Sequence, residues 1–519
     1  KKNKNKDRYV FVSGLIMLGL GLVGCAVSLT IYFTTRENPQ PVPQMQLPKQ
    51  ANYTKPEKPN IIFITVQEIG WSDIRYGEPR IQVHTPNLDD LAKNGRTLEN
   101  HYVQPTSVSS HHAFLTGRLP FKSGMQHGPF DVAAPYCTGS DLTLISRTLK
   151  QRGTRYDWRV DAMTNDDVPD GGTFYTELLA DHVINTISTT RRPYFVNLAF
   201  GDVHKHVEIP SRYTSYYPDC DEGTNSLSCL YMGDEAERRR NLKRRNYLGF
   251  ITAVDEAIGR IKRAADDNTV IIFTPDTGGS HQEYANNLPL RGATGTLYEG
   301  GTKTRAIVSS PYMEAPILNN RHEGLFHATD WAATITSLAG TFPSSQHDGF
   351  DQTEMILFGL PSKRDRIIYN LDMEQYPLLG QSAIRHNEWK LIWGFDGITN
   401  GRGCLRTPTY ETDTEFLTIP LSSSDLTSLP QDEQDRIVQL LNENTWKPDN
   451  LYSGVIRLYN LKDDPNEYED LSGDTNNVAL IQELKLMLVN ELKSNYDEPP
   501  QSFNQSTSHI TDPVDPGWC

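Results

Sequence analysis

The 519 residues predict an α/β chain: a mixed, largely parallel β-sheet sandwiched by helices, a smaller antiparallel C-terminal part, and an N-terminal transmembrane helix. Three observations carry this. Short continuous apolar runs alternate with longer segments of helical period, as in sheets buried on both faces. That alternation gives way near residue 375 to hairpin-like patterning. A long uncharged segment follows a basic tail.

Residues 1–8 carry +4 of the chain's net charge of −15, which leaves −19 on the rest. Tyr9 to Phe33 is a 25-residue run without a charge, long enough for the ~30 Å hydrocarbon core. A cleaved signal peptide has an apolar region of only about 7–15 residues, so 9–33 reads as an uncleaved signal-anchor. Basic residues before it and few after it place 1–8 in the cytoplasm and the rest in the lumen or outside, a single-pass type II topology. Gly14, Gly19, Gly21 and Gly24 either admit a second helix or are ordinary membrane-span glycines. Pro39, Pro41, Pro43, Pro48 and Pro56 make 34–58 an extended stalk.

Asn60–Val66 reads as the first buried strand, Asn87 to Gly95 as a helix, and Tyr194 to Phe200 as a second strand. Asn246 to Asp267 spaces Leu248, Ile251, Val254, Ile258 and Ile261 as on one helix face. Thr269 to Phe273 is a third strand and His327 to Leu338 another helix. In such sheets the chemistry gathers beyond the carboxyl ends of the strands, here Gln67-Glu68, 202–206 and Asp276-Thr277. Residues 59–375 form this α/β domain and 376–519 the C-terminal part. There, Ser382 to Trp393 reads as a hairpin turning at His386-Asn387, Val455 to Leu461 as a strand, and Val478 to Lys493 as an amphipathic helix.

An acidic chain is a poor coat for nucleic acid, whose phosphates it repels. Sequons at Asn52 and Asn504 fit glycosylation on the outer side. Six cysteines fit an oxidising compartment. Cys25 lies in the anchor, Cys220 and Cys229 suit a local disulfide, and Cys137, Cys404 and Cys519 leave one further pairing open. The basic run Arg238-Arg-Arg-Asn-Leu-Lys-Arg-Arg245 is either a solvated helix face or a grip for a sulfated polymer.

Leu115-Thr-Gly-Arg118, Phe273-Thr-Pro-Asp-Thr-Gly-Gly279 and Pro289-Leu-Arg-Gly-Ala-Thr-Gly-Thr-Leu-Tyr-Glu-Gly-Gly301 resemble the type I sulfatases of the alkaline phosphatase superfamily. Lys58 to Phe63, Thr85-Pro-Asn-Leu-Asp89, Ala383 to Ile392 and Leu458 to Glu467 are similar to arylsulfatase B and its relatives. The likeness runs in order over about residues 58–496 and implies the sulfatase fold.

It also implies a site, and here the chain departs from the pattern. The family matures a cysteine to formylglycine; that position is Ser107, and the arginine of the same motif is His111. The enzyme that makes formylglycine in animal cells does not act on serine. The calcium ligands fall on Gln67, Glu68, Asp276 and Thr277, and the resemblance implies that calcium is lost. A sulfate-binding lysine falls on Thr294, and a further Lys/His motif expected after Gly153 is missing. Of ten positions only Asp276 and His204 match.

The expectation is a membrane-anchored arylsulfatase-like pseudoenzyme without cofactor, acting as a binding or structural subunit. Its partner would be a membrane or outer protein, or a sulfated glycan held by Arg238–Arg245. The alternative is a repurposed sulfate- or phosphate-ester hydrolase using Ser107. Its rebuilt metal site, suited to zinc, would draw on Glu68, His111, His112, His204, His206, His281 and Asp276.

Overall fold

The computed structural model describes residues 58–76, 83–123, 125–126, 144–151, 174–191, 193–201, 209–217, 235–280, 285–313, 320–372, 381–394 and 456–495. Residues 1–57, which hold the segments read as tail and anchor and all but the last residue of the segment read as stalk, all six cysteines, both sequons, and His204, His206 and His281 lie outside them. Among the described residues no helix is long and apolar enough to cross a membrane.

Leaving aside helical turns of seven residues or fewer, the chain runs β1 (Asn60–Val66), α1 (Pro86–Asn94), β2 (Arg96–Tyr102), α2 (Ser107–Thr116), α3 (Tyr175–Thr189), β3 (Phe195–Phe200) and α4 (Glu235–Ala264). It continues as β4 (Thr269–Pro275), β5 (Lys303–Ser309), β6 (Arg321–His327), α5 (Asp330–Leu338), β7 (Arg366–Asp372), β8 (Gln381–His386), β9 (Trp389–Gly394), β10 (Ile456–Asn460) and α6 (Val478–Asn495).

The first sheet has the order β3-β1-β4-β5-β2-β6. β5 alone runs against the rest, pairing antiparallel with β4 and β2. The sheet is therefore mixed and largely parallel, as expected. Side-chain alternation along β1 explains its burial on both sides. Ile62, Ile64 and Val66 join Leu88 of α1, Val183 of α3, and Ile251 and Ile258 of α4 in one core. Ile61 and Phe63 join Phe114 of α2 and Trp331 and Ile335 of α5 in the other. Two apolar faces dictate two helical layers.

The second sheet is antiparallel, β10-β9-β8-β7. The β8–β9 hairpin turns at Asn387-Glu388, with Asn387 at φ 54. The sheet takes its fourth strand from Arg366–Asp372, so it begins before the change of character read at residue 375. Leu391 of β9 and Leu458 of β10 pack with Leu484 and Leu488 of α6. The opposite face, with Tyr369, Ile392 and Tyr459, packs with Tyr102 of β2 and Tyr298. His327, read as the start of a helix, is instead the last residue of β6; α5 begins at Asp330.

Candidate active site

β1 and β4 pair in parallel with Val66 opposite Pro275, so Gln67-Glu68 and Asp276-Thr277 emerge side by side at their carboxyl ends. Glu68 takes a left-handed φ of 53, a conformation that strains residues other than glycine. There its N–H donates to Asp276 Oδ1 at 3.1 Å. Tyr247 of α4 braces the turn: its hydroxyl donates to Glu68 O at 3.1 Å and accepts the Gly70 N–H at 3.1 Å. Beside Tyr247, Arg244 Nη2 meets Asp73 Oδ1 at 2.6 Å, with both residues buried. Arg245 Nε donates to Thr214 O at 3.3 Å. Two members of the basic run thus face the fold; the side chains of Arg238, Arg239 and Arg240 are outside the described residues.

Helix α2 brings the next groups. Thr106 caps it, its hydroxyl accepting the Ser109 N–H at 3.4 Å. Gly117 ends it at φ 67, its N–H donating to Ala113 O. A Cβ on Gly117 would lie 2.8 Å from Ala332 Cβ, which gives the Leu-Thr-Gly-Arg motif a physical reason. Ser107 and His111 stand four residues apart and share a helix face. Ser109, Ser110 and His112 do not: Ser109 Oγ donates to Met125 O at 2.7 Å, Ser110 Oγ accepts the Gln104 N–H at 2.9 Å, and His112 Nε2 lies 2.7 Å from Ser123 Oγ. Burial, reinforced by the Arg118 charge, pushes the His112 pKa down to about 4.

His111 Nε2 lies 3.3 Å from Asp276 Oδ2, and Asp276 is buried. Both Asp276 oxygens are therefore contacted, Oδ1 by the Glu68 N–H and by Thr277 Oγ1 at 3.4 Å, Oδ2 by His111. The single Thr277 hydroxyl proton has Gly278 O at 3.1 Å as its nearer acceptor and Asp276 Oδ1 as the farther one, and Thr277 Oγ1 accepts from Thr294 Oγ1 at 3.2 Å. Thr294 is anchored by its N–H to Gly279 O at 3.2 Å. The Asn287 side chain brackets Gly279, accepting its N–H and donating to its carbonyl, each at 2.9 Å. Ser107 Oγ is a buried hydroxyl without a hydrogen-bond partner among the described residues.

Glu68, His111, Asp276, Thr277 and Thr294 are thus brought to one place, with Ser107 one helical turn before His111. The Gln67 side chain stands beside Gly201, its Oε1 3.5 Å from where a Cβ on that glycine would be. His112 is drawn off to Ser123, away from the zinc set. Among the described residues no three His, Cys, Asp or Glu side chains converge as a metal-binding group. Sequence reasoning missed the Thr294–Thr277 bond and the Arg244–Asp73 support. No sequence signal marks either pair, whose members are 17 and 171 residues apart.

The sulfatase family matches residues 59–341. Mouse arylsulfatase J is 28% identical over 425 residues, which cover 68% of this chain and 67% of that protein. Human N-acetylgalactosamine-6-sulfatase is 23% identical over 410 residues, covering 65% and 73%. Among solved structures, Ps i-CgsB in complex with k-i-k-neocarrahexaose has a TM-score of 0.60 at 20% identity, covering 87% of this chain and 96% of that one. PsFucS1 sulfatase from Pseudoalteromonas sp. has a TM-score of 0.58 at 19% identity, covering 85% and 92%. The family match spans more than half of the chain: the protein belongs to the sulfatase family, the type I sulfatases of the alkaline phosphatase superfamily, and is related to the arylsulfatases.

Proposed function

We propose that this chain is a membrane-anchored, arylsulfatase-like protein that does not hydrolyse sulfate esters and serves as a binding or structural subunit. One observation carries the reading: Thr294, Thr277, Asp276 and His111 are engaged with one another. Thr294 donates to Thr277, Thr277 faces Asp276, and His111 covers the remaining Asp276 oxygen. A sulfate-ester site needs preorganised cations where charge develops, and removing one such group alone costs roughly 10²–10³ in rate. Thr294 offers a hydroxyl at such a position. His111 is turned to a carboxylate of its own chain.

The donors do not fit a calcium ion. Calcium takes six to eight oxygen ligands, several of them anionic. Asp276 is contacted on both oxygens, Thr277 is bonded to Thr294, and the Gln67 side chain stands at Gly201. The reading therefore has no resident metal. Its anchor is residues 9–33, with the bulk of the chain luminal or extracellular, glycosylated at Asn52 and Asn504 and disulfide-bonded. Its partner is a protein in or outside the membrane. A sulfated glycan at Arg238–Arg245 would have to manage without Arg244, which is paired with Asp73.

A second reading rests on Ser107, whose buried hydroxyl has no partner and sits at the start of α2 on the face of His111. It would make Ser107 a nucleophile toward phosphate or sulfate esters. Phosphate-ester turnover by the full chain, lost in Ser107→Ala, supports this second reading. Metal content separates the two as well. Protein purified without chelator, analysed for metals and titrated with calcium, should hold no stoichiometric ion. One equivalent of calcium or zinc, released by Asp276→Asn, would overturn the first reading.

A further inference from the structure

We propose that the joint between the two sheets is a proton-operated latch, in which Glu467 takes up a proton as the pH falls from 8 to about 5 and the antiparallel sheet is then held more firmly. The geometry is that of two buried carboxylates sharing one buried ammonium. Lys390 of β9 places Nζ 3.0 Å from Glu299 Oε1 and 2.7 Å from Glu467 Oε1, and all three side chains are almost wholly inaccessible. Glu299 opens the helical turn that leads into β5 of the first sheet. Glu467 follows β10 of the second, at a left-handed φ of 62. Its Oε2 accepts the Glu299 N–H at 2.6 Å, so this one side chain touches both halves of the joint.

The other charges around the pair are not evenly divided. Glu299 also accepts from Tyr102 of β2 at 2.8 Å and Tyr369 of β7 at 2.9 Å, and Lys303 of β5 lies 3.9 Å away. Arg385 of β8 adds a positive charge on the same side, bonded to the Tyr102 hydroxyl. On the Glu467 side, Arg291 donates to the Tyr459 hydroxyl of β10 at 3.1 Å and to the Glu467 carbonyl at 3.2 Å, not to its carboxylate. Glu299 therefore holds the claim on Lys390, and Glu467 is the carboxyl left under-compensated in a dry place. The directions agree. Burial pushes Glu467 up to about 7 against the pull of Lys390. At Glu299 burial acts the same way but Lys390, Lys303 and Arg385 outweigh it and hold it down.

The sign follows from linkage. A carboxyl with its pKa raised on folding binds more protons in the folded form. Its contribution is present in full below its unfolded pKa and is lost as pH rises through 7. From pH 5.5 to 8 the opening equilibrium of the joint rises on the order of thirtyfold. Buried neutral histidines in the first sheet act in the opposite direction below about pH 6.5, so the readout must be local.

Amide hydrogen exchange of β8 and β9 in the full chain, corrected for intrinsic rate, is the test. The expected result is faster opening at pH 8 than at pH 5.5 by roughly thirtyfold, and a flat profile in Glu467→Gln, which mimics the protonated form. A flat or inverted wild-type profile overturns the proposal whether or not the variant folds. A Glu467→Gln variant that folds and keeps the wild-type slope overturns it equally.

Discussion

Gly278→Ala adds one methyl group where the turn after β4 meets the turn Glu299–Thr302. An ideal Cβ there would lie 1.8 Å from Gly300 O, 2.8 Å from Gly300 C and 3.0 Å from Gly301 Cα. Ordinary carbon contacts begin near ~3.5 Å, so the two turns must part by more than ~1 Å. Every atom in the way is backbone, and none can swing aside. Parting also stretches the 2.9 Å bond from the Gly278 N–H to Gly301 O. Overpacking costs about 1–3 kcal/mol and a weakened buried hydrogen bond about 1–3 kcal/mol more. The expected loss is roughly 2–6 kcal/mol, a fall in Tm of about 2–6 °C for a chain this long. Thermal and urea unfolding followed by circular dichroism measure it. Gly473→Ala, where a Cβ meets nothing within 4 Å, is the control and should stay within about 0.5 kcal/mol. A Gly278→Ala protein as stable as that control would refute the close approach of these turns and the placement of Asp276 and Thr277 that depends on it.

Three further outcomes are expected. Lys390→Met strands two buried carboxylates and should destabilise the fold by about 3–5 kcal/mol in urea unfolding at pH 7.5. Thr106→Ala removes the cap of α2 and should cost about 1 kcal/mol, read in the same assay. Burial lowers His101 to about 3 and His112 to about 4, so below pH 6.5 each of these two histidines binds more protons in the unfolded chain than in the folded one, opposite to Glu467 and Asp255. The His112 contribution to stability should therefore fall as pH drops from 6.5 toward 4, so the wild-type chain should lose stability over that range relative to His112→Gln, read by urea unfolding of both proteins.

The strands legible in the sequence are those buried on both faces. β1 and β4 are nearly continuous apolar runs because helices cover both sides of the sheet, whereas the edge strand β3 was legible from its apolar residues although Ala199 is exposed. β2 and β6 escaped notice because their polar side chains are satisfied by particular partners. His101 in β2 lies 2.8 Å from Thr304 Oγ1 and accepts from Trp331 Nε1 at 2.9 Å, which no periodicity announces. Helix α2 was hidden for a related reason: with serines and histidines buried around most of its surface, it has no clean apolar stripe.

The site positions were legible through their place after the strands and within the motifs. Their mutual bonding was not. Position told that Thr277 and Thr294 replace other residues; only the fold brings their hydroxyls to 3.2 Å. Arg244 shows the converse. In the sequence it is one charge in a basic run, whereas in the fold it is buried against Asp73. Glu299, Lys390 and Glu467 lie in three separate motifs that each carry the family resemblance. Contact between residues so far apart in the chain is decided by how one sheet packs on the other.

The most direct test of a site in which Asp276, Thr277, Thr294 and His111 engage one another is turnover of an aryl sulfate by the purified full chain, measured with excess calcium beside the Ser107→Ala variant. The account predicts that the two proteins are indistinguishable from each other and from buffer. Hydrolysis by the wild-type chain that disappears in Ser107→Ala would contradict it.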